Sequence, residues 1–104
     1  MAETRQVVVR WSRPGIADYD DICDYLMTKA SVEAADRWAQ ELLAAIGRLR
    51  LFPLSGKPVP KIGIFGEKTR QIVFGSYRVF YEYTPPHVDI LAIRHTARNI
   101  EEAQ

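Results

Sequence analysis

Apolar positions along this chain follow two different spacings, and the spacing changes once. Gln6-Val-Val-Val-Arg-Trp11 is a β-rich run closed by Ser12-Arg13-Pro14-Gly15. It predicts a strand followed at once by a helix start. Proline suits the first helical turn and pushes the residue before it out of the helical region, so Ser12 or Arg13 is the expected cap. Ile16, Tyr19, Ile22, Cys23 and Leu26 then recur at three- and four-residue steps, while Asp18, Asp21, Asp24 and Tyr25 share the opposite face. This is the signature of an amphipathic helix with an acidic outer surface. Ser31 predicts a second N-cap, with Glu33 and Asp36 near the positive helix end. Ala35, Trp38, Leu42, Ala45, Ile46 and Leu49 form a long apolar stripe that must end before Pro53. The two helices, joined around Lys29-Ala-Ser, make an αα-hairpin.

After Pro53 the period shifts. Leu54 to Lys68 holds three Gly, two Pro and three Lys and reads as a loop, long enough to raise the expectation of a functional role. Three alternating runs follow at about 69–74, 77–84 and 87–94, separated by the tight turn Gly75-Ser76 and by Pro85-Pro86. The predicted order is β-α-α-β-β-β. The fold class is α+β, a helical hairpin packed on a small, mostly antiparallel sheet, and residues 1–104 form a single domain. In the middle run Tyr77, Val79, Tyr81 and Tyr83 share the face expected to cover the helices. Arg78 and Glu82 share the other with Phe80.

At 104 residues and 47% hydrophobic, the chain can bury a modest core. Its longest apolar runs are far too short to span a bilayer, and Met1-Ala-Glu-Thr-Arg-Gln lacks the apolar core of a signal peptide. Cytoplasmic residence is the expectation. The lone Cys23 excludes an internal disulfide and a multi-cysteine metal site. A net charge of +1 conceals an asymmetry: residues 1–51 carry seven Lys/Arg against eight Asp/Glu, whereas residues 52–98 carry seven against three. The basic character belongs to the loop and the strands, where it serves either as a solvated surface or as a contact for an anionic partner.

Few residues offer chemistry. His95, at a strand end, is either a general acid or base or a hydrogen-bonding tie for a loop. His87 lies at the far end of the same strand, so no metal pair forms. Arg78 is either an exposed cation beside Arg70 or half of a surface pair with Glu82. The tyrosines could stack on bases, but their alternation favours the core. Cys23 reads as a small core residue. No phosphate loop, dinucleotide fingerprint, Ser/His/Asp set or paired-carboxylate site is present.

Several degenerate stretches, taken together and in order, carry a resemblance. They are Val7-Val-Val-Arg-Trp-Ser12, Ala17-Asp-Tyr-Asp-Asp-Ile-Cys-Asp-Tyr-Leu26 and Ala34-Ala-Asp-Arg-Trp-Ala-Gln-Glu-Leu-Leu43. Leu49-Arg-Leu-Phe-Pro53, Arg70 through Gly75, Tyr77-Arg-Val-Phe-Tyr81 and Ile90-Leu-Ala-Ile-Arg-His95-Thr-Ala-Arg98 continue them. In this combination the chain resembles the RelE/ParE superfamily of type II toxins, with the ParE-like branch favoured. The resemblance implies a cytoplasmic toxin without cofactor or metal, held in a hetero-oligomer by a small ParD-like cognate antitoxin. For the ParE branch the implied target is DNA gyrase and no residue is catalytic. The basic loop and sheet then supply the target contacts: Lys57, Lys61, Lys68, Arg70, Arg78, Arg94 and Arg98. Trp38, Leu42, Ile46, Arg70 and Tyr81 supply the antitoxin contacts. For the RelE branch the implied activity is cleavage of mRNA on translating ribosomes, with Arg78, His95 and Arg98 as catalytic residues. This sequence departs from that branch: Thr69 and Gln71 stand where it carries lysines, and no tyrosine follows Tyr83.

Overall fold

The computed structural model describes residues 7–60 and 65–96. Strand β1 (Val8–Trp11) leads into helix α1 (Arg13–Lys29), then α2 (Val32–Gly47) and a 3-10 turn at Arg48–Arg50. Four more strands follow: β2 (Lys57–Pro58), β3 (Thr69–Phe74), β4 (Tyr77–Thr84) and β5 (His87–His95). The sheet order is β1-β5-β4-β3-β2, with β1 parallel to β5 and the other pairs antiparallel. The expected α+β architecture is present. The sheet has one strand more than predicted, because Lys57 and Pro58 leave the expected loop to pair with Gln71 and Arg70.

The helix starts follow the local chemistry. Ser12 is extended and its hydroxyl accepts the Gly15 amide, with Pro14 in the first turn. Ser31 caps α2 in the same way through the Ala34 amide. Gly75, with φ of 57°, turns β3 into β4 in the left-handed region that glycine tolerates best.

The main core lies between helices and sheet. Leu42, Ile46 and Leu49 meet Val79, Tyr81, Val88, Ile90 and Ile93, with Tyr77 and Tyr83 packed alongside. The face assigned to the helices from alternation is the face that packs there. A bulge makes this possible: Phe80 pairs with Ala92 and Tyr81 with Ile90, leaving Leu91 as the extra residue. Val88, Ile90 and Ile93 therefore all reach the helices, while Ala92 turns to the other side.

That other side is not bare. Val59 and Phe65 fold back over Phe80 and Ala92 as a second small core. Phe65 stacks on Phe80 at 4.4 Å between ring centroids. The Leu54–Lys68 segment is thus in part a cover for the sheet.

One helix assignment is corrected. Asp18 does not belong to the solvent face of α1. Its carboxylate accepts the Ile93 amide at 2.9 Å and the Arg94 guanidinium at 2.7 Å. β1 stops pairing at Trp11 and Ile90, and the edge of β5 beyond it is closed by α1 instead. Ser12 donates its amide to the Ile90 carbonyl, and Asp18 takes the amide that a longer β1 would have taken.

Candidate functional site

The register between β4 and β5 decides how the cationic residues stand. Tyr77 lies opposite His95, and Arg78 lies opposite Arg94. Successive residues of a strand point to opposite faces, so the two pairs occupy opposite sides of the sheet. Tyr77 and His95 stand on the helix side, where the imidazole meets the Tyr77 ring edge-on at 5.3 Å and Tyr77 meets Trp38 at 5.4 Å. Burial pushes the Tyr77 hydroxyl pKa above its ordinary value. Arg78 and Arg94 stand on the side of Phe80.

Two like charges directly opposite each other destabilise a sheet unless one is neutralised. Asp18 does this for Arg94 through a half-buried ion pair. Arg78 donates to the Thr96 carbonyl at 3.3 Å, at the end of the neighbouring strand. On the same face Arg10 holds Asp89 through two hydrogen bonds of 2.7 and 3.1 Å.

Arg70 and Tyr81 form a different assembly. The buried Tyr81 hydroxyl donates to the Pro53 carbonyl at 2.8 Å and accepts the Gly56 amide at 2.9 Å. Arg70 donates to the carbonyls of Gly56 at 2.7 Å and Leu54 at 3.2 Å. Four hydrogen bonds from two side chains thus fix residues 53–56. Gly56 has no room for a side chain: a Cβ would stand 2.7 Å from the Gln71 carbonyl oxygen and from the Tyr81 ring.

The residues expected to contact an antitoxin are placed as follows. Leu42, Ile46 and Tyr81 are buried in the core. Arg70 donates to the loop carbonyls of Leu54 and Gly56. Trp38 is half-buried among Tyr19, Phe74 and Tyr77, and its indole N–H has no partner among the described residues. Of the expected target contacts, Lys57 and Lys68 are exposed, Arg78 and Arg94 are engaged as above, and Lys61 and Arg98 lie outside the described residues. Of the expected catalytic trio, Arg78 and His95 face opposite ways, and Arg98 lies outside the described residues.

A feature missed in the sequence lies beside the fixed loop. An open groove of about 510 Å³ runs between the end of α2 (Ala45), the 3-10 turn (Arg48, Leu49), the start of β2 and β3 residues 71–73. Next to it the chain displays Leu51, Phe52 and Leu54 with 75%, 63% and 58% of their surface exposed. Apolar residues this exposed in one short segment mark a contact surface. The signal in the sequence was Leu51-Phe-Pro-Leu54, four apolar residues with no strand or helix to bury them.

Among the described residues no group of three or more His, Cys, Asp or Glu side chains is placed to hold a metal, and no helix is long and apolar enough to cross a membrane.

A family model described as the ParE toxin of the type II toxin–antitoxin system parDE matches residues 9–100. Among curated proteins, none matches this chain. Solved structures are similar in fold. A chromosomal ParDE toxin–antitoxin system from P. aeruginosa superposes with a TM-score of 0.71 at 19% identity, over 86% of this chain and 95% of that one. The RelBE2 toxin–antitoxin complex from Mycobacterium tuberculosis gives 0.57 at 22% identity, over 86% and 98%. The isolated E. coli RelE toxin gives 0.50 at 10% identity, over 93% and 92%.

Proposed function

Because this chain belongs to the ParE toxin family of type II toxin–antitoxin systems, we propose that it arrests growth by inhibiting DNA gyrase and is neutralised by direct binding of a cognate antitoxin. One observation carries the choice of a binding toxin over a ribosome-dependent nuclease. Metal-free cleavage of RNA needs a base for the 2′-hydroxyl, an acid for the leaving oxygen and cations on the phosphorane. These groups must converge on one phosphate. Here Tyr77 and His95 stand on one face of the sheet and Arg78 and Arg94 on the other. Histidine is the side chain that ordinarily titrates near neutrality, and this one lies across the sheet from the cations it would have to work with. A target-binding surface has no such requirement, since cations spread over one face still steer and hold an anionic partner.

The antitoxin follows from the same membership and from the similarity to a ParDE system and a RelBE2 complex. The test is a gyrase supercoiling and DNA-cleavage assay with purified toxin, with and without antitoxin. Accumulation of cleaved DNA that antitoxin suppresses is expected. Unchanged supercoiling at several-fold excess of toxin, together with mRNA cleavage on translating ribosomes, would overturn the gyrase reading.

A further inference from the structure

We propose that the turn at residues 52–55 is a wedge for duplex DNA: Leu51, Phe52 and Leu54 enter the minor groove and open a base step, while Arg48, Arg50 and Lys57 neutralise the neighbouring phosphates. The gyrase reading concerns the enzyme. This inference goes beyond it to the DNA itself and stands or falls without it.

The first observation is a fixed backbone under exposed apolar side chains. The Arg48 carbonyl accepts the Leu51 and Phe52 amides at 3.1 and 3.0 Å. The Phe52 carbonyl accepts the Ser55 amide at 3.1 Å, closing a β-turn with Pro53 at its second position, where the fixed φ of proline suits it. Tyr81 and Arg70 then hold the carbonyls of Pro53, Leu54 and Gly56 and the amide of Gly56. Every residue from 51 to 56 thus has a backbone group tied down. Yet Leu51, Phe52 and Leu54 remain largely in water. A side chain that prises bases apart must not yield, because unstacking is costly and a mobile turn would fold away from the duplex instead.

The second observation is charge of one sign. Between Glu41 and Glu67 the chain holds Arg48, Arg50, Lys57 and Lys61 and no carboxylate. The first three are exposed and flank the turn along the chain; Lys61 lies outside the described residues. This combination selects the partner. An apolar recess on a protein would accept Phe52 but match the cations only where carboxylates ring it. A minor groove offers both at every step, an apolar base stack and two rows of phosphates. Proteins that kink DNA from the minor groove pair Phe or Leu wedges with Arg and Lys in this way.

The test uses the full chain, a fluorescein-labelled duplex and a closed circular plasmid. Anisotropy should report binding whose salt dependence reflects three neutralised phosphates: a slope of log K against log salt of about −2.7, or a fall of roughly 40-fold between about 50 and 200 mM. Plasmid relaxed by topoisomerase I in the presence of toxin, then freed of protein, should carry a lowered linking number, because opened steps unwind the duplex. Phe52→Ser with Leu54→Ser should abolish that change and weaken binding by about 10-fold while keeping the salt slope. Arg50→Gln with Lys57→Gln should reduce the slope to about −0.9. All four positions are exposed, so thermal unfolding should stay close to wild type. Absence of binding at low salt would overturn the inference. Binding without a linking-number change, or a change that survives in the apolar variant, would overturn the wedge. Variants that lose gyrase inhibition although wild-type toxin alone leaves the plasmid wound would assign the turn to a protein partner and overturn the inference, with the gyrase reading intact. A wild-type chain that unwinds DNA but leaves gyrase active would uphold the inference and overturn the gyrase reading.

Discussion

Replacing Tyr81 by phenylalanine removes one oxygen atom and leaves the core packing of the ring in place. The hydroxyl is fully buried and serves two groups, donating to the Pro53 carbonyl at 2.8 Å and accepting the Gly56 amide at 2.9 Å. Gly56 is itself buried, so its amide would be left without a partner, at a cost of about 1–3 kcal/mol. Pro53 is only half-buried, and water can replace the lost donor to its carbonyl, which adds roughly 0.5 kcal/mol. Arg70 still holds Gly56 and Leu54, which keeps the loop from detaching altogether. The expected loss is about 2 kcal/mol, a large share of the stability of a small domain. For a chain of this size that corresponds to a fall in Tm of about 8–16 °C. Urea and thermal unfolding measure the loss, and hydrogen exchange at Gly56 locates it. A destabilisation below about 0.5 kcal/mol with the Gly56 amide still protected would refute the argument that Tyr81 fixes the loop.

Gly56→Ala should be worse than Tyr81→Phe, because its Cβ meets the Gln71 backbone oxygen and the Tyr81 ring at 2.7 Å; reduced soluble yield and a Tm lower than that of Tyr81→Phe are expected. Asp18→Ala should cost about 1–3 kcal/mol in urea unfolding, since the Ile93 amide loses its acceptor and Arg94 is left facing Arg78. Asp18→Asn, which keeps an acceptor but loses the charge, should recover part of that. The hydroxyls of Tyr19, Tyr77 and Tyr81 are pushed above their ordinary value of 10.0, in each case chiefly by burial. Their folded-state pKa values lie above the unfolded ones, so their stabilisation is complete below about pH 10 and is lost as pH rises beyond it. Unfolding midpoints in urea should therefore hold steady from pH 8 to about pH 10 and fall above it, less steeply in Tyr81→Phe.

The elements legible in the sequence are those whose signal is local. Ser12 and Ser31 cap the helices, and the three strands follow from alternation and from turns such as Gly75-Ser76. What escaped depends on residues far apart in the chain. β2 has two residues, one of them proline, and is held against β3 by Tyr81 and Arg70, so no period could announce it. Asp18 reads as a solvent residue on a helical wheel. Its role appears only when β1 is known to run parallel to β5 and to stop short of Ile93. The second core over Phe80 required Phe65 to return from a segment rich in glycine and proline. Leu91 was marked in the sequence by the unbroken apolar run Ile90-Leu-Ala-Ile93, which strict alternation cannot accommodate and a bulge can.

Charge shows the same division between what lies along the chain and what the fold brings together. Counted along the sequence, the basic half is residues 52–98, and the surface to suspect is the loop and the last strands. The fold removes two of those cations from that surface. Arg70 is absorbed by loop carbonyls and Arg94 by Asp18. Meanwhile Arg48 and Arg50, which belong to the half with a net negative balance, emerge at the end of α2 on the side where Lys57 enters β2. A cation just past a helix C-terminus stabilises the helix by its position alone, which accounts for Arg48. It accounts for neither Arg50 nor Lys57. Nor does it explain why three large apolar side chains sit exposed beside them on a backbone held by four hydrogen bonds, three of them buried or half-buried. Burying polar groups to keep apolar ones in water opposes the usual direction of folding. Exposed apolar side chains on a backbone fixed in this way are the mark of a contact surface, and the cations beside them make that surface electropositive.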